Sequence, residues 1–211
     1  MGDYGSSWVE QYELVVQRDN WLYRDYAAIL RELADLVLEN TDVDSLIVQL
    51  GVGTANLAAL LLEKRNVMGI EPSGEMARIA RRRWPGLRVV GSGLRDLPFG
   101  TATVDAIVAA YTWHQLSPED RVDSVGEMRR VLRPGGQVVV ADIMFRDAAS
   151  ERSMRGQLEK AGERAKLALL EGELEEYPLL SDLRVEFGRF GFGFSGKQRT
   201  DLIWLFRATL L

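Results

Sequence analysis

An α/β domain on a largely parallel sheet, doubly wound with helices on both faces, is the fold this sequence predicts. Short apolar runs alternate with amphipathic stretches at βαβ spacing, and parallel strands need helical crossovers of that kind. The apolar runs lack strict alternation, as expected for strands buried on both faces. The last two extended runs are joined by residues 198–201 alone, too short for a crossover, so that pair is antiparallel.

The elements follow in order. Residues 8–18 and 22–39 read as helices, and in the second Leu22, Tyr26, Ile29, Leu30, Leu33, Leu36 and Val37 share one face. Residues 45–50 form a short apolar strand that stops at Gly51, and a helix is predicted over 54–64. Strand 67–71, helix 73–83, strand 87–91 and strand 104–110 continue the rhythm. Helix 118–132 opens with Ser117 as cap, Pro118 in the first turn and Glu119 and Asp120 against the positive helix end, then closes at Arg133-Pro134-Gly135-Gly136. After strand 137–145 come a long charged helix over 147–172, a shorter one over 179–190, and strands 192–197 and 202–207. No second domain, repeat or linker is visible.

Composition narrows the chemistry. The 211 residues are 46% apolar, enough to bury a core. With no cysteine and one histidine, His114, the chain excludes disulfides, thiolate zinc sites, cysteine nucleophiles and multi-histidine metal centres, so no metal is expected. Twenty-six basic against thirty-one acidic residues give a net charge of −5, which repels a phosphate backbone, so nucleic acid is not expected as a partner. Arg78, Arg81, Arg82 and Arg83 alternate with Met76, Ile79, Ala80 and Trp84 at helical spacing and read as a solvated face. No apolar run approaches the ~18 residues of a membrane span, and the first residues lack a secretory signature. A cytoplasmic protein without a membrane partner, monomeric or homodimeric, is the expectation.

The informative segment is Leu50-Gly51-Val52-Gly53-Thr54-Ala55-Asn56, where the first buried strand enters a helix. Ligands of open α/β sheets bind beyond the carboxyl ends of such strands. Gly51 and Gly53 let a ligand approach the backbone, and the amides of the following helix offer an anion site. Glu71 lies twenty residues after Gly51, at the end of the next strand, where a carboxylate can accept from both hydroxyls of a ribose. Residues 191–197 also fit a glycine-rich phosphate pattern, but no buried strand precedes them and Gln198 stands where a magnesium-binding hydroxyl belongs, so a hairpin is the better account.

These residues resemble the class I S-adenosylmethionine-dependent methyltransferases, and within them a branch of small-molecule methyltransferases from bacilli and relatives. The resemblance runs from about Trp8 to the end of the chain. It rests on Leu50-Gly51-Val52-Gly53-Thr54, Gly69-Ile70-Glu71-Pro72-Ser73-Gly74-Glu75-Met76, Leu97-Pro98-Phe99, Tyr111-Thr112-Trp113-His114-Gln115-Leu116, Val131-Leu132-Arg133-Pro134-Gly135-Gly136 and Ala141-Asp142-Ile143-Met144-Phe145. It implies a Rossmann-like sheet of order 3-2-1-4-5-7-6 with strand 7 antiparallel. It divides the single domain into a helical cap (1–42), a cofactor-binding core (43–145), a helical insertion over the site (146–180), and a terminal helix and strand pair (181–211).

Carried over residue by residue, the resemblance implies that Gly51 and Gly53 approach S-adenosylmethionine and Glu71 holds its ribose. Pro72 and Met76 sit near the adenine, with Ser92, Gly93 and Leu94 on its other edge. Gln49, Ala55 and Asn56 complete the turn. Ala110 and Tyr111 border the methionyl part and the acceptor, and Tyr12 closes over the cofactor. Three positions depart from the family: Gln49 replaces an acidic residue, Ala55 a glycine and Ser92 an aspartate. The implied reaction is in-line transfer of a methyl group to a small-molecule acceptor, with S-adenosylhomocysteine as product. His114 can take a proton from an alcohol, phenol or amine and, with Tyr111 and Tyr12, forms the candidate catalytic set; Asp142 is a second polar group nearby. Trp21, Tyr23, Tyr26 and Trp113 are further aromatic candidates for facing a positive sulfur. Two other readings stay open: a degenerate binding or regulatory protein, favoured by the three departures, and an NAD-dependent dehydrogenase, disfavoured by Asn56 where a pyrophosphate favours glycine and by the lack of a Tyr-x-x-x-Lys pair.

Overall fold

The computed structural model describes residues 14, 16, 21–171 and 177–211. Seven strands form one sheet: β1 (Leu46–Leu50), β2 (Asn66–Ile70), β3 (Arg88–Val90), β4 (Val104–Ala110), β5 (Leu132–Ile143), β6 (Phe192–Gln198) and β7 (Ile203–Leu210). Their order is β3-β2-β1-β4-β5-β7-β6, as the resemblance implies. The first five pair in parallel, whereas β7 runs antiparallel to both β5 and β6. The helices are α1 (Tyr26–Leu38), α2 (Asn56–Leu61), α3 (Gly74–Arg83), α4 (Pro118–Val131), α5 (Ala148–Ala161), α6 (Arg164–Glu171) and α7 (Leu180–Arg189). Among the described residues, no helix is long and apolar enough to cross a membrane.

The pleat of the sheet sorts its side chains into two cores. Ile47, Ala106, Val108, Val139 and Leu205 face one side, where Leu33 and Val37 of α1 and Leu57 and Leu61 of α2 cover them. Val48, Leu50, Ile107, Val138 and Phe206 face the other, under Val125 and Met128 of α4 and Leu183 and Phe187 of α7. Full burial of each such side chain is worth roughly 1.5–3 kcal/mol, and the alternation fixes the register, because a one-residue slip would exchange the two faces. Phe187 touches Phe192, Phe194 and Phe206 with ring centroids 5.3–5.8 Å apart, which seats α7 on the terminal hairpin.

Several boundaries differ from expectation, each for a local reason. The helix expected over 22–39 starts only at Tyr26, because Asp25 is left-handed at φ 60°. The helix expected over 54–64 spans Asn56–Leu61, because Ala55 is left-handed at φ 69°. The single helix expected over 147–172 is two, broken where Gly162 caps α5 at φ 71°. Strand β5 starts at Leu132, and Arg133–Gly136 bulge out between the pairs Val104–Leu132 and Ala106–Gln137. The helix expected over 8–18 falls largely outside the described residues; Leu14 and Val16 within it are helical.

The turn after β1 is wedged into the sheet by its own valine. A Cβ on Gly69 would lie 2.9 Å from the Cβ of Val52, so Gly69 is small because Val52 packs against β2. Gly69→Ala should therefore cost about 1–3 kcal/mol through overpacking. Urea unfolding followed by circular dichroism measures this as a lower midpoint with an unchanged slope.

Candidate active site

A cleft opens at the carboxyl ends of β1, β2 and β4, with α1 over it. β1 brings Gln49 and the turn Gly51-Val52-Gly53-Thr54 to its floor, and α2 adds Asn56 and Leu57. Glu71, Ser73 and Met76 enter from β2 and the start of α3. The end of β4 supplies Ala110, Tyr111 and Thr112, then His114 and Gln115, while Tyr23, Tyr26 and Leu30 close the cap side.

Its two glycines are glycine for different reasons. Gly51, at φ 59°, has Thr112 against it: a Cβ there would lie 2.3 Å from the Thr112 Oγ1. Gly53, at φ 54°, meets nothing nearer than the Gly51 carbonyl at 4.0 Å, so its missing side chain leaves room in the cleft. A left-handed backbone favours glycine at both positions.

Glu71 ties the site together. One carboxylate oxygen accepts from the Gly53 amide at 2.8 Å and the other from the Ser73 amide at 2.9 Å. The residue is 3% exposed. Burial pushes its carboxyl above the usual range, and the amides of Ser73 and Gly53 pull it partly back. A carboxylate offers about four lone-pair sites, so each oxygen retains capacity for one more donor.

Two buried polar atoms of cleft-lining residues, Gln49 Oε1 and the Tyr111 hydroxyl, have no hydrogen-bond partner among the described residues. An unsatisfied buried polar group costs about 1–3 kcal/mol, so both are places for a ligand's polar atoms. Tyr111 holds the left-handed conformation at φ 53°, and its ring lies 5.3 Å from those of both Tyr23 and Tyr26. Burial, and after it the charge of Asp142, pushes the Tyr111 hydroxyl far above its ordinary value. The phenol stays protonated at neutral pH and is a poor proton acceptor.

Asp142, wholly buried at the end of β5, shapes the other wall. Its Oδ2 accepts from the amides of Thr112, Trp113 and His114, and its Oδ1 meets His114 Nδ1. Burying a lone carboxylate costs several kcal/mol, and these donors offset it at about 1.5–3 kcal/mol each.

The sequence-derived candidates divide accordingly. Gln49, Gly51, Gly53, Asn56, Glu71, Met76, Ala110, Tyr111 and His114 are brought to one cleft. Ala55, Pro72, Ser92, Gly93 and Leu94 are not among the described residues lining it. Ala55 and Leu94 are buried in the two hydrophobic cores, and the Ser92 hydroxyl donates to the Asp96 carbonyl at 2.6 Å. Tyr12 lies outside the described residues. Of the aromatic candidates, Trp113 packs under the sheet against Phe187 and Trp21 donates to Asp201 at 3.1 Å, while Tyr23 and Tyr26 reach the cleft. The described part of segment 146–180 contributes no lining residue; its Leu170 and Tyr177 are buried in the core on the α1 side of the sheet. Thr112 was missing from the sequence-derived site residues, since its role shows only once Gly51 is placed, and Asp142 was named there only as a second polar group near His114, without its contact to the ring. The signal for Asp142 was a carboxylate within an otherwise apolar strand.

Comparison with known proteins places the chain in a family. Residues 47–136 match the family described as Methyltransferase domain. The chain is 33% identical over 203 residues to an uncharacterized methyltransferase of Oceanobacillus iheyensis, covering 95% of this chain and 88% of that protein. It is 31% identical over 213 residues to one from Geobacillus kaustophilus, covering 98% and 95%. The crystal structure of DesVI from Streptomyces venezuelae superposes with a TM-score of 0.70 at 18% identity, over 99% of this chain and 100% of that one. With its sheet order, its cleft and these relatives together, the chain belongs to the family of S-adenosylmethionine-dependent methyltransferases.

Proposed function

We propose that the cleft binds S-adenosylmethionine across the Gly51–Asn56 turn and that the chain passes its methyl group to a small-molecule acceptor seated toward Tyr111 and His114. The observation that carries this reading is the buried Glu71 carboxylate, holding the Gly53 amide on one oxygen and the Ser73 amide on the other, with capacity left for two hydroxyl donors. Bound S-adenosylmethionine supplies a methyl group on a positive sulfur and departs as S-adenosylhomocysteine. Glu71 accepts from the sugar, and Gln49 Oε1 accepts from a donor elsewhere on the ligand. Met76 offers an apolar contact to the base. Tyr23, Tyr26 and Tyr111 present ring faces of a kind that attract a cation. Methyl transfer from a sulfonium neutralises charge, so the protein's task is alignment and exclusion of water.

A small acceptor is supported by the −5 net charge, unsuited to nucleic acid, and by the cap residues Tyr23, Tyr26 and Leu30, which narrow the cleft. Two of the three departures that favour a degenerate protein, Ala55 and Ser92, lie among residues that do not line it. Gln49 does line it, and it keeps an acceptor oxygen there.

Calorimetric titration should show S-adenosylmethionine and S-adenosylhomocysteine binding and NAD not binding. Binding of NAD alone would favour the dehydrogenase, and silence toward all three the degenerate protein. Glu71→Ala should weaken S-adenosylhomocysteine at least about tenfold, that is, by roughly 1.4 kcal/mol; an unchanged dissociation constant would remove Glu71 from the site. Because sugar hydroxyls donate more strongly to the ionised carboxylate than to the protonated acid, affinity should fall as pH is lowered through the raised range of Glu71, starting above 4.5, and Glu71→Gln should abolish that dependence.

A further inference from the structure

We propose that Asp142 is a positioning residue that holds His114 as the Nδ1–H tautomer, making Nε2 the base that takes the proton from a protic methyl acceptor. The proposal rests on the cofactor reading above and narrows its acceptor to an alcohol, phenol, amine or thiol whose nucleophilic atom carries a hydrogen.

Four observations support it. His114 lines the same cleft as Glu71 and Gln49 and is 4% exposed, so its ring is shielded from bulk water. Its Nδ1 meets Asp142 Oδ1. Asp142 is fully buried and cannot swing away, since its other oxygen is held by the Thr112 amide at 2.8 Å and the His114 amide at 3.3 Å, together with that of Trp113. A carboxylate accepts and does not donate, so the nitrogen facing it must carry the proton, and the second nitrogen of the neutral ring is then the basic one. The alternative base in the cleft, Tyr111, is held protonated by burial and by the same Asp142 charge.

The step balances without another reactant. The acceptor's lone pair forms the new bond to the methyl carbon, the carbon–sulfur pair returns to sulfur, and the acceptor's proton passes to His114 Nε2. The resulting imidazolium is stabilised by Asp142. Asp142 also pins the short turn Trp113–Gln115 through its backbone contacts, a structural role that by itself sets no tautomer.

Because His114 is the chain's one histidine, its ring nitrogens give unambiguous signals in a long-range proton–nitrogen spectrum of the uniformly labelled protein. At a pH where the ring is neutral, Nδ1 should be the protonated nitrogen and Nε2 the bare one. In Asp142→Asn the amide oxygen can still accept from the Thr112, Trp113 and His114 amides, while the amide nitrogen gives up the bond that Asp142 Oδ1 accepts from the Ile143 amide at 2.7 Å and donates to Nδ1, so the proton should move to Nε2, with S-adenosylhomocysteine affinity kept within about threefold. A wild-type ring protonated on Nε2 would overturn the proposal even if the variant does not fold, and so would a tautomer that Asp142→Asn leaves unchanged. Calorimetry on the same samples separates the two readings: wild-type protein that fails to bind S-adenosylhomocysteine overturns the cofactor reading on which the acceptor's part depends, whereas the wrong tautomer with that ligand bound overturns the dyad alone.

Discussion

The Glu71 carboxylate is the link on which the arrangement of the cleft depends. Strands β1 and β2 are neighbours through backbone pairing, the Val52 amide beyond β1 still donates to the Ile70 carbonyl at 3.0 Å, and past that bond the Glu71 side chain reaches from one turn to the other. By accepting from Gly53 on the β1 side and Ser73 on its own, it fixes the left-handed Gly53 relative to the start of α3. Hydrogen bonds to a charged group contribute about 1.5–3 kcal/mol each, enough to hold a buried carboxylate that would otherwise be a liability. Hydrophobic packing brings the turns near one another, as Val52 against Gly69 shows; the carboxylate gives their polar atoms a defined relation.

Left-handed backbone also occurs beside the cleft, as it does at Asp25 and Ala102 elsewhere. Gly51, Gly53, Ala55 and Tyr111 all have φ between 53° and 69°, and all lie at the ends of β1 and β4. For Ala55 and Tyr111, which carry a Cβ, that conformation costs of order 1–3 kcal/mol, sustained only where surroundings over-determine it. Around Ala55 they do so by burial in the core, and around Tyr111 through two flanking rings and a next residue, Thr112, whose amide Asp142 holds. Such strain is typical of functional sites, and here it turns Tyr111 into the cleft and lets Thr112 pack on Gly51.

Much of this was legible in the sequence. Doubly buried strands appear as continuous apolar runs, helices appear as stripes, and the four residues between the last two strands admit only an antiparallel turn. What escaped was set by single residues in unusual backbone states. Nothing in Ala55 or Asp25 announces a left-handed φ, since that depends on what packs around them, and so two helices began later than their apolar patterns suggested. Gly162 was visible, yet the charged pattern runs across it, and only the cap geometry shows that the helix stops there. At the site, Gly51 and Glu71 were marked by spacing alone. The Asp142–His114 contact joins residues 28 apart from adjacent strand ends, which no local pattern encodes. Ser92 and Leu94, named by position after the third strand, have local partners as well: the Ser92 hydroxyl donates to a nearby carbonyl and Leu94 packs in the apolar core.

The most direct trial of the whole account is a crystal structure of the protein with S-adenosylhomocysteine. The account requires the nucleoside to lie over Gly53 with both sugar hydroxyls on the Glu71 carboxylate. Electron density for the ligand at any other place, or a Glu71 side chain turned away from the sugar, would contradict it.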